Sequence, residues 1–80
     1  MLEELTQARS VAGVKQTRRA LNAGQVKTLY LASDADPALT ASLADQARAE
    51  GIDIEIGATM AQLGAACKIA VGAACCATLI

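Results

Sequence analysis

The stretch Val26-Lys27-Thr28-Leu29-Tyr30-Leu31-Ala32, followed without a break by Ser33-Asp34-Ala35-Asp36-Pro37, decides the fold. Its first seven residues carry β-branched, aromatic and leucine side chains, which suit a strand at the centre of a sheet. The next five leave that strand by a turn. Asp36 suits an N-cap and Pro37 the first helical position, so a helix is expected over Pro37–Glu50. Its inward stripe is Leu39, Leu43, Ala44 and Ala47, and Gly51 stops it. Ile52-Asp53-Ile54-Glu55-Ile56 then alternates with period two, the pattern of a strand with one covered apolar face and an acidic face outward.

Working outward, Gly24 stops a helix expected over Lys15–Ala23, and Gly13 opens it. Before it, Ser10-Val11-Ala12-Gly13 reads as a brief extended link, and Leu2–Arg9 as a first short helix with Leu2, Leu5 and Ala8 inward. On the other side, Gly57-Ala58-Thr59 caps a helix over Met60–Ala66, with Met60, Leu63 and Cys67 inward. Lys68-Ile69-Ala70-Val71-Gly72 is an apolar loop, and Ala73–Ile80 a last strand. Helices and strands alternating at this spacing indicate a single α/β domain over residues 1–80. The expected architecture is a three-layer α/β/α sandwich with a small mixed sheet of about four strands. The fold class hosts many functions, so function has to be sought in the side chains.

Eighty residues suffice for one core, which must be built from Leu, Ile, Val and Ala, since the chain has no Phe or Trp and one Tyr. That scarcity excludes an aromatic platform for stacking successive bases. The net charge of −1 is uninformative, but its distribution is not. Arg9, Lys15, Arg18, Arg19 and Lys27 succeed one another with no acid between Arg9 and Lys27. From Thr28 through Ala66, Asp34, Asp36, Asp45, Glu50, Asp53 and Glu55 are set against Arg48 alone. The chain therefore has a basic front and an acidic flank. Cys67, Cys75 and Cys76 make a poor disulfide framework, and with no histidine or CxxC a metal site is not expected. Reduced, buried thiols fit a cytoplasmic protein. Leu2-Glu3-Glu4 does not read as a signal peptide, and no run approaches the ~18 apolar residues of a membrane span.

Three stretches carry candidate chemistry. In Gly13-Val14-Lys15-Gln16-Thr17-Arg18-Arg19-Ala20-Leu21-Asn22, helical spacing gathers Lys15, Arg18, Arg19 and Asn22 on one arc, with Gln16 beside it and Thr17, Ala20 and Leu21 opposite. A helix start offers unpaired N–H groups to an anion, and glycine before it lets backbone approach a ligand. An amide such as Gln16 can read base edges where lysine and arginine would only hold phosphates. The same pattern also describes an ordinary solvated helix face. Asp34 and Asp36 are a pair of carboxylates, but a helix cap accounts for Asp36, and without histidine or a base beside a hydroxyl no nucleophilic catalysis is supported. Ile69-Ala70-Val71 is either the start of the last strand or an exposed apolar pad beside the basic helix. Cys75 and Cys76, adjacent in a strand, point to opposite faces.

Gly13–Leu21, Ser33–Pro37, Leu63-Gly64-Ala65-Ala66-Cys67-Lys68-Ile69 and Val71-Gly72-Ala73-Ala74 occur in order and at fitting separation. Together they resemble the ribosomal protein L7Ae/L30e family, especially its short bacterial members, over essentially the whole chain. The resemblance implies binding of RNA kink-turns, sharply bent internal loops with sheared G·A pairs beside an extruded nucleotide. Archaeal and eukaryotic members carry Gly-x-Asn-Glu-x-x-Lys at the helix start. By position, Lys15 and Gln16 then fall to the G·A base edges and Arg19 to bases or adjacent phosphate, while Ile69, Ala70 and Val71 match the loop that packs on the extruded nucleotide. Lys-Gln replaces Asn-Glu as in the bacterial variant. Arginine at position 19 keeps the charge with different donor geometry. Lys68 stands where family members usually have glycine, and adds a cation.

The expected function is therefore a non-catalytic RNA-binding protein. Its expected contacts are Gly13, Val14, Lys15, Gln16, Arg18, Arg19, Lys68, Ile69, Ala70 and Val71. RNA, including ribosomal RNA, and the ribosome are the expected partners, with no cofactor, metal, DNA or membrane, and the free protein is expected to be a monomer. The alternative is a protein-interaction module that docks an acidic partner through the basic helix and the apolar loop.

Overall fold

The structure, a computed structural model, describes residues 9–80. Seven elements follow in order: β1 (Ser10–Ala12), α1 (Val14–Asn22), β2 (Val26–Leu31), α2 (Pro37–Ala49), β3 (Asp53–Ile56), α3 (Met60–Ala66) and β4 (Cys75–Leu79). The strands form one mixed sheet in the order β1-β4-β2-β3. β4 runs antiparallel to both β1 and β2, and β2 runs parallel to β3. The central position expected for β2 is borne out, since it pairs on both edges.

Lys27 is exposed and sits at a shift in the β2–β4 register, where Val26 pairs with Leu79 and Thr28 with Thr78. The extra residue resets the alternation. Val26 thereby joins Leu29 and Leu31 on one face, with Ala20 and Leu21 of α1, Leu43, Ala44 and Ala47 of α2, and Cys75 and Ala77 of β4. The opposite face gathers Tyr30, Ala32, Cys76 and Ala73 against Leu63 and Ala66 of α3. Among the described residues, two helices thus cover one side of the sheet and one covers the other, as a three-layer sandwich requires. Cys75 and Cys76 fall in different clusters, on opposite faces as their adjacency demanded.

Several expectations need correction. The link Ser10–Gly13 contains a strand, because Ser10, Val11 and Ala12 find Thr78, Ala77 and Cys76 as partners. Three residues are too few to show a period, so the pairing was invisible locally. Leu39 is not on the inward stripe of α2: it is 49% exposed, and Thr40 is buried in its place. The rotation of the helix on the sheet, set by Leu43, Ala44 and Ala47, leaves the first turn's leucine outside. Met60 opens α3 with its side chain 36% exposed, and Ile56, at the end of the edge strand β3, is 58% exposed. The last strand begins at Cys75, two residues later than expected. Arg9 lies outside any helix, and the rest of the helix expected over Leu2–Arg9 lies outside the described residues.

Candidate nucleic-acid interface

β1 and β2 end, and β4 begins, at one end of the sheet: Ala12 lies opposite Cys76, and Leu31 opposite Cys75. Gly13 turns the chain from β1 into α1 there. Its φ of 92° and ψ of 156° are closed to ordinary side chains, although a Cβ at this position would meet nothing within 4 Å. Conformation, not space, requires the glycine. Its N–H donates to the Cys75 carbonyl at 2.8 Å, and its own carbonyl accepts the first helical bond, from the Thr17 N–H at 3.0 Å.

The three described helices differ at their starts. Asp36 caps α2 by accepting from the Ala38 N–H at 2.9 Å, and Thr59 caps α3 in a reciprocal box with Gln62. Asp34, which sequence reading left without a role, accepts from the Met60 N–H at 2.8 Å and so also serves α3. Both carboxylates of the Asp34-Ala35-Asp36 turn are thus committed to helix ends. α1 has neither a side-chain cap nor an acid in its first turn. Its leading N–H groups and dipole are left for an outside anion.

On α1, Thr17, Ala20 and Leu21 are buried, and Lys15, Gln16, Arg18, Arg19 and Asn22 are exposed. Val14, Lys15, Arg18, Arg19 and Asn22 line an open depression of about 500 Å³. Half-buried Val14 also packs on the core below. Gln16 lies beside the depression and not in its lining. Two of these side chains lean on α2. The Arg18 guanidinium donates to the Ser42 hydroxyl at 2.8 Å, and the Gln46 amide donates to the Asn22 carbonyl oxygen at 3.1 Å and to Glu50 at 3.0 Å. The side chains of Lys15, Gln16 and Arg19 have no hydrogen-bond or ion-pair partner among the described residues.

The apolar segment is a loop and not the start of a strand. Val71 is 71% exposed and Ile69 40%, with Ala70 exposed between them. The backbone holds it at both ends. Lys68 and Ile69 donate to the carbonyls of Ala65 (3.1 Å) and Gly64 (3.0 Å), closing α3 with Lys68 in the left-handed conformation at φ 61°. At the far end Ala73 donates to the Met60 carbonyl at 3.0 Å, and Gly72 presses on Met60, whose Cβ would stand 3.2 Å from an added Cβ. Gly64 lets the loop fold back, since a Cβ there would collide with the Val71 carbonyl oxygen. A glycine inside a helix is costly, and that cost was the readable signal of a close backbone approach. The loop runs into Cys75, the residue whose carbonyl holds Gly13, so the helix start and the loop meet at one backbone junction.

Beneath the junction, burial pushes the Cys75 thiol pKa up, with the Thr17 hydroxyl and the Arg18 charge opposing. Burial also raises that of Cys76, helped by the neighbouring Cys67 thiol. Among the described residues no cluster of acids and cysteines is suited to a metal ion. Nor, among them, is any helix long and apolar enough to cross a membrane.

The family described as ribosomal protein L7Ae/L30e/S12e/Gadd45 matches residues 2–80. The chain belongs to that family. A relative from Bacillus pumilus (strain SAFR-032), named "RNA-binding protein", is 46% identical over 79 residues, covering 98% of this chain and 96% of its own. "RNA-binding protein YbxF" of Geobacillus stearothermophilus is 38% identical over 78 residues, with coverage of 96% and 95%. Among solved structures, the Giardia lamblia 15.5kD RNA binding protein superposes with a TM-score of 0.87 at 21% identity, over 99% of this chain and 70% of that one. The L7Ae-type α/β fold is therefore shared at low identity, and the family resemblance drawn from four short motifs holds.

Proposed function

We propose that this L7Ae-family chain is a non-catalytic, cytoplasmic RNA-binding protein that recognises kink-turns, with ribosomal RNA among its targets. The observation that carries the reading is the junction at Cys75, where an uncapped basic helix start and a pinned, exposed apolar loop share one end of the sheet. The names of its curated relatives support RNA as the partner.

Each part has a distinct task. Lys15 and Gln16 approach the G·A base edges from the first turn of α1, where donors and an acceptor can be presented together. Arg19 and Lys68 neutralise phosphate. Arg18 does so more weakly, because its guanidinium is shared with Ser42. Ile69, Ala70 and Val71 cover the extruded nucleotide with apolar surface, standing in for the aromatic stacking that this composition lacks. The acids of β3, on the sheet edge farthest from β1, turn that edge away from the phosphate backbone.

Amide NMR of the full chain during titration with a kink-turn RNA tests the placement. Shifts should concentrate at Gly13–Arg19 and Lys68–Val71. Shifts centred on α2 or β3 would refute the proposed face, and shifts with an acidic peptide but not with RNA would favour protein docking.

A further inference from the structure

By sequence the three cysteines are expected to be separate core residues, but the fold brings two of them together. Cys67, the C-cap of α3, and Cys76, in β4, have their sulfurs 3.1 Å apart. The Cys67 thiol donates to the Cys76 sulfur, and the Cys76 thiol lies 3.9 Å from the Leu63 carbonyl. Cys67 is half-buried and within reach of small reagents, whereas Cys76 is fully buried. Between them in sequence lies the whole Lys68–Ala74 segment, including the apolar loop. Cys75 faces the other side of the sheet and is excluded from the pair.

We propose that Cys67 and Cys76 form a reversible oxidation site whose disulfide changes the conformation of the Lys68–Val71 loop. The oxidant class is a low-molecular-weight disulfide. The Cys67 thiolate attacks one sulfur of that disulfide, breaks its S–S bond and expels one thiolate, leaving a mixed disulfide on Cys67. The Cys76 sulfur then attacks the Cys67 sulfur and expels the second small thiolate, which takes up the Cys76 proton. The protein loses two protons and two electrons, and the oxidant leaves as two thiols. Accessibility sets the order, since Cys67 is the sulfur that an outside reagent meets first.

A disulfide requires the sulfurs to close to about 2.05 Å, which draws the end of α3 toward β4. Cys67 immediately precedes Lys68, whose left-handed conformation defines the loop's first turn together with the bonds that Lys68 and Ile69 donate to the Ala65 and Gly64 carbonyls. Movement at Cys67 is therefore transmitted to the loop without an intermediary. If the proposed RNA face is correct, on which this part rests, oxidation weakens RNA binding, by at least about fivefold on the usual scale of coupling between two sites.

The test uses the full chain, fully reduced and then equilibrated with oxidised glutathione. Peptide mapping should find a Cys67–Cys76 cross-link that also forms in Cys75→Ala, fails in Cys67→Ser and is reversed by a thiol reductant. Amide NMR without RNA should show the Lys68–Val71 signals moving on oxidation. Arrest at glutathionylated Cys67, a cross-link through Cys75, or unmoved loop signals would overturn the proposal. Protein that binds kink-turn RNA equally well before and after cross-linking would overturn its functional consequence. Reduced protein that binds no RNA would instead overturn the proposed function, leaving the cross-link and the loop signals to decide the oxidation site.

Discussion

Replacing Lys68 with glycine should raise stability and lower RNA affinity together. All three described helices close in the same way, with the residue after the C-cap in the left-handed conformation and two backbone bonds back into the last turn. In α1 and α2 that residue is Gly24 (φ 69°) and Gly51 (φ 71°), and in α3 it is Lys68 (φ 61°). A side chain held there costs about 1–2 kcal/mol, against which glycine loses about 0.5–1 kcal/mol more chain entropy on folding. The net gain for Lys68→Gly is about 0.5–1 kcal/mol, or about 2–8 °C in Tm for a domain of this size. The same change removes one cation from the proposed RNA face, so the slope of log affinity against log salt should shrink by about 0.7–0.9. Thermal denaturation followed by circular dichroism, with RNA titrations at several salt concentrations, reads both quantities. Lys68→Ala separates them, since it removes the charge while keeping the strained conformation: its salt slope should fall without the gain in Tm. A Tm unchanged or lowered in Lys68→Gly would refute the conformational reasoning, and an unchanged salt slope would refute the phosphate contact.

Other outcomes follow from the same geometry. Gly64→Ala should destabilise by about 1–3 kcal/mol through overpacking against Val71 and should displace the Lys68–Val71 amide signals; wild-type stability would mean that the loop does not lie on α3. Gln16→Ala should cost about 1–3 kcal/mol of preference for a kink-turn over a straight duplex, and equal losses on both RNAs would remove Gln16 from base reading. Arg18→Ala should reduce the salt slope less than Arg19→Ala, because Arg18 is shared with Ser42. Burial raises the Cys75 and Cys76 pKa values, so above pH about 8.5 the unfolded thiols ionise first and bind fewer protons than the folded ones. Urea-unfolding stability is then fully present below that pH and falls above it, by up to about 1.4 kcal/mol per pH unit for each thiol. Cys75→Ala/Cys76→Ala should flatten the decline.

Most of the architecture was legible because it rests on local signals. Asp36-Pro37 announced α2, Thr59 announced α3, and Val26–Leu31 combined strand-forming side chains with a central place. What escaped depended on partners distant in sequence. Ser10–Ala12 becomes a strand only because β4 returns beside it. Leu39 fits a helical stripe, and only the seating of α2 on the sheet leaves it exposed. At the candidate site, the arc of Lys15, Arg18, Arg19 and Asn22 followed from helical periodicity. The commitment of Arg18 to Ser42 and of Asp34 to Met60 did not, since each contact spans more than twenty residues. The meeting of Cys67 with Cys76 across the α3–sheet layer was hidden for the same reason. Gly64 and Lys68 were half-legible: an interior helix glycine is a local anomaly, and the family resemblance marks Lys68 as a lysine where glycine is usual, and both bear on how the apolar loop is held.

The proposal that this protein reads kink-turns is tested most directly by calorimetric titration of the reduced full chain with a standard kink-turn RNA. The control is the same RNA with its G·A pairs replaced, and both are run at two salt concentrations. Tight binding, submicromolar on the affinity scale of about −8 kcal/mol or better, that is lost with the replaced RNA at both salts is the predicted result. Equal affinity for the two RNAs, falling together as salt rises, would contradict it and leave only a basic surface that holds phosphate.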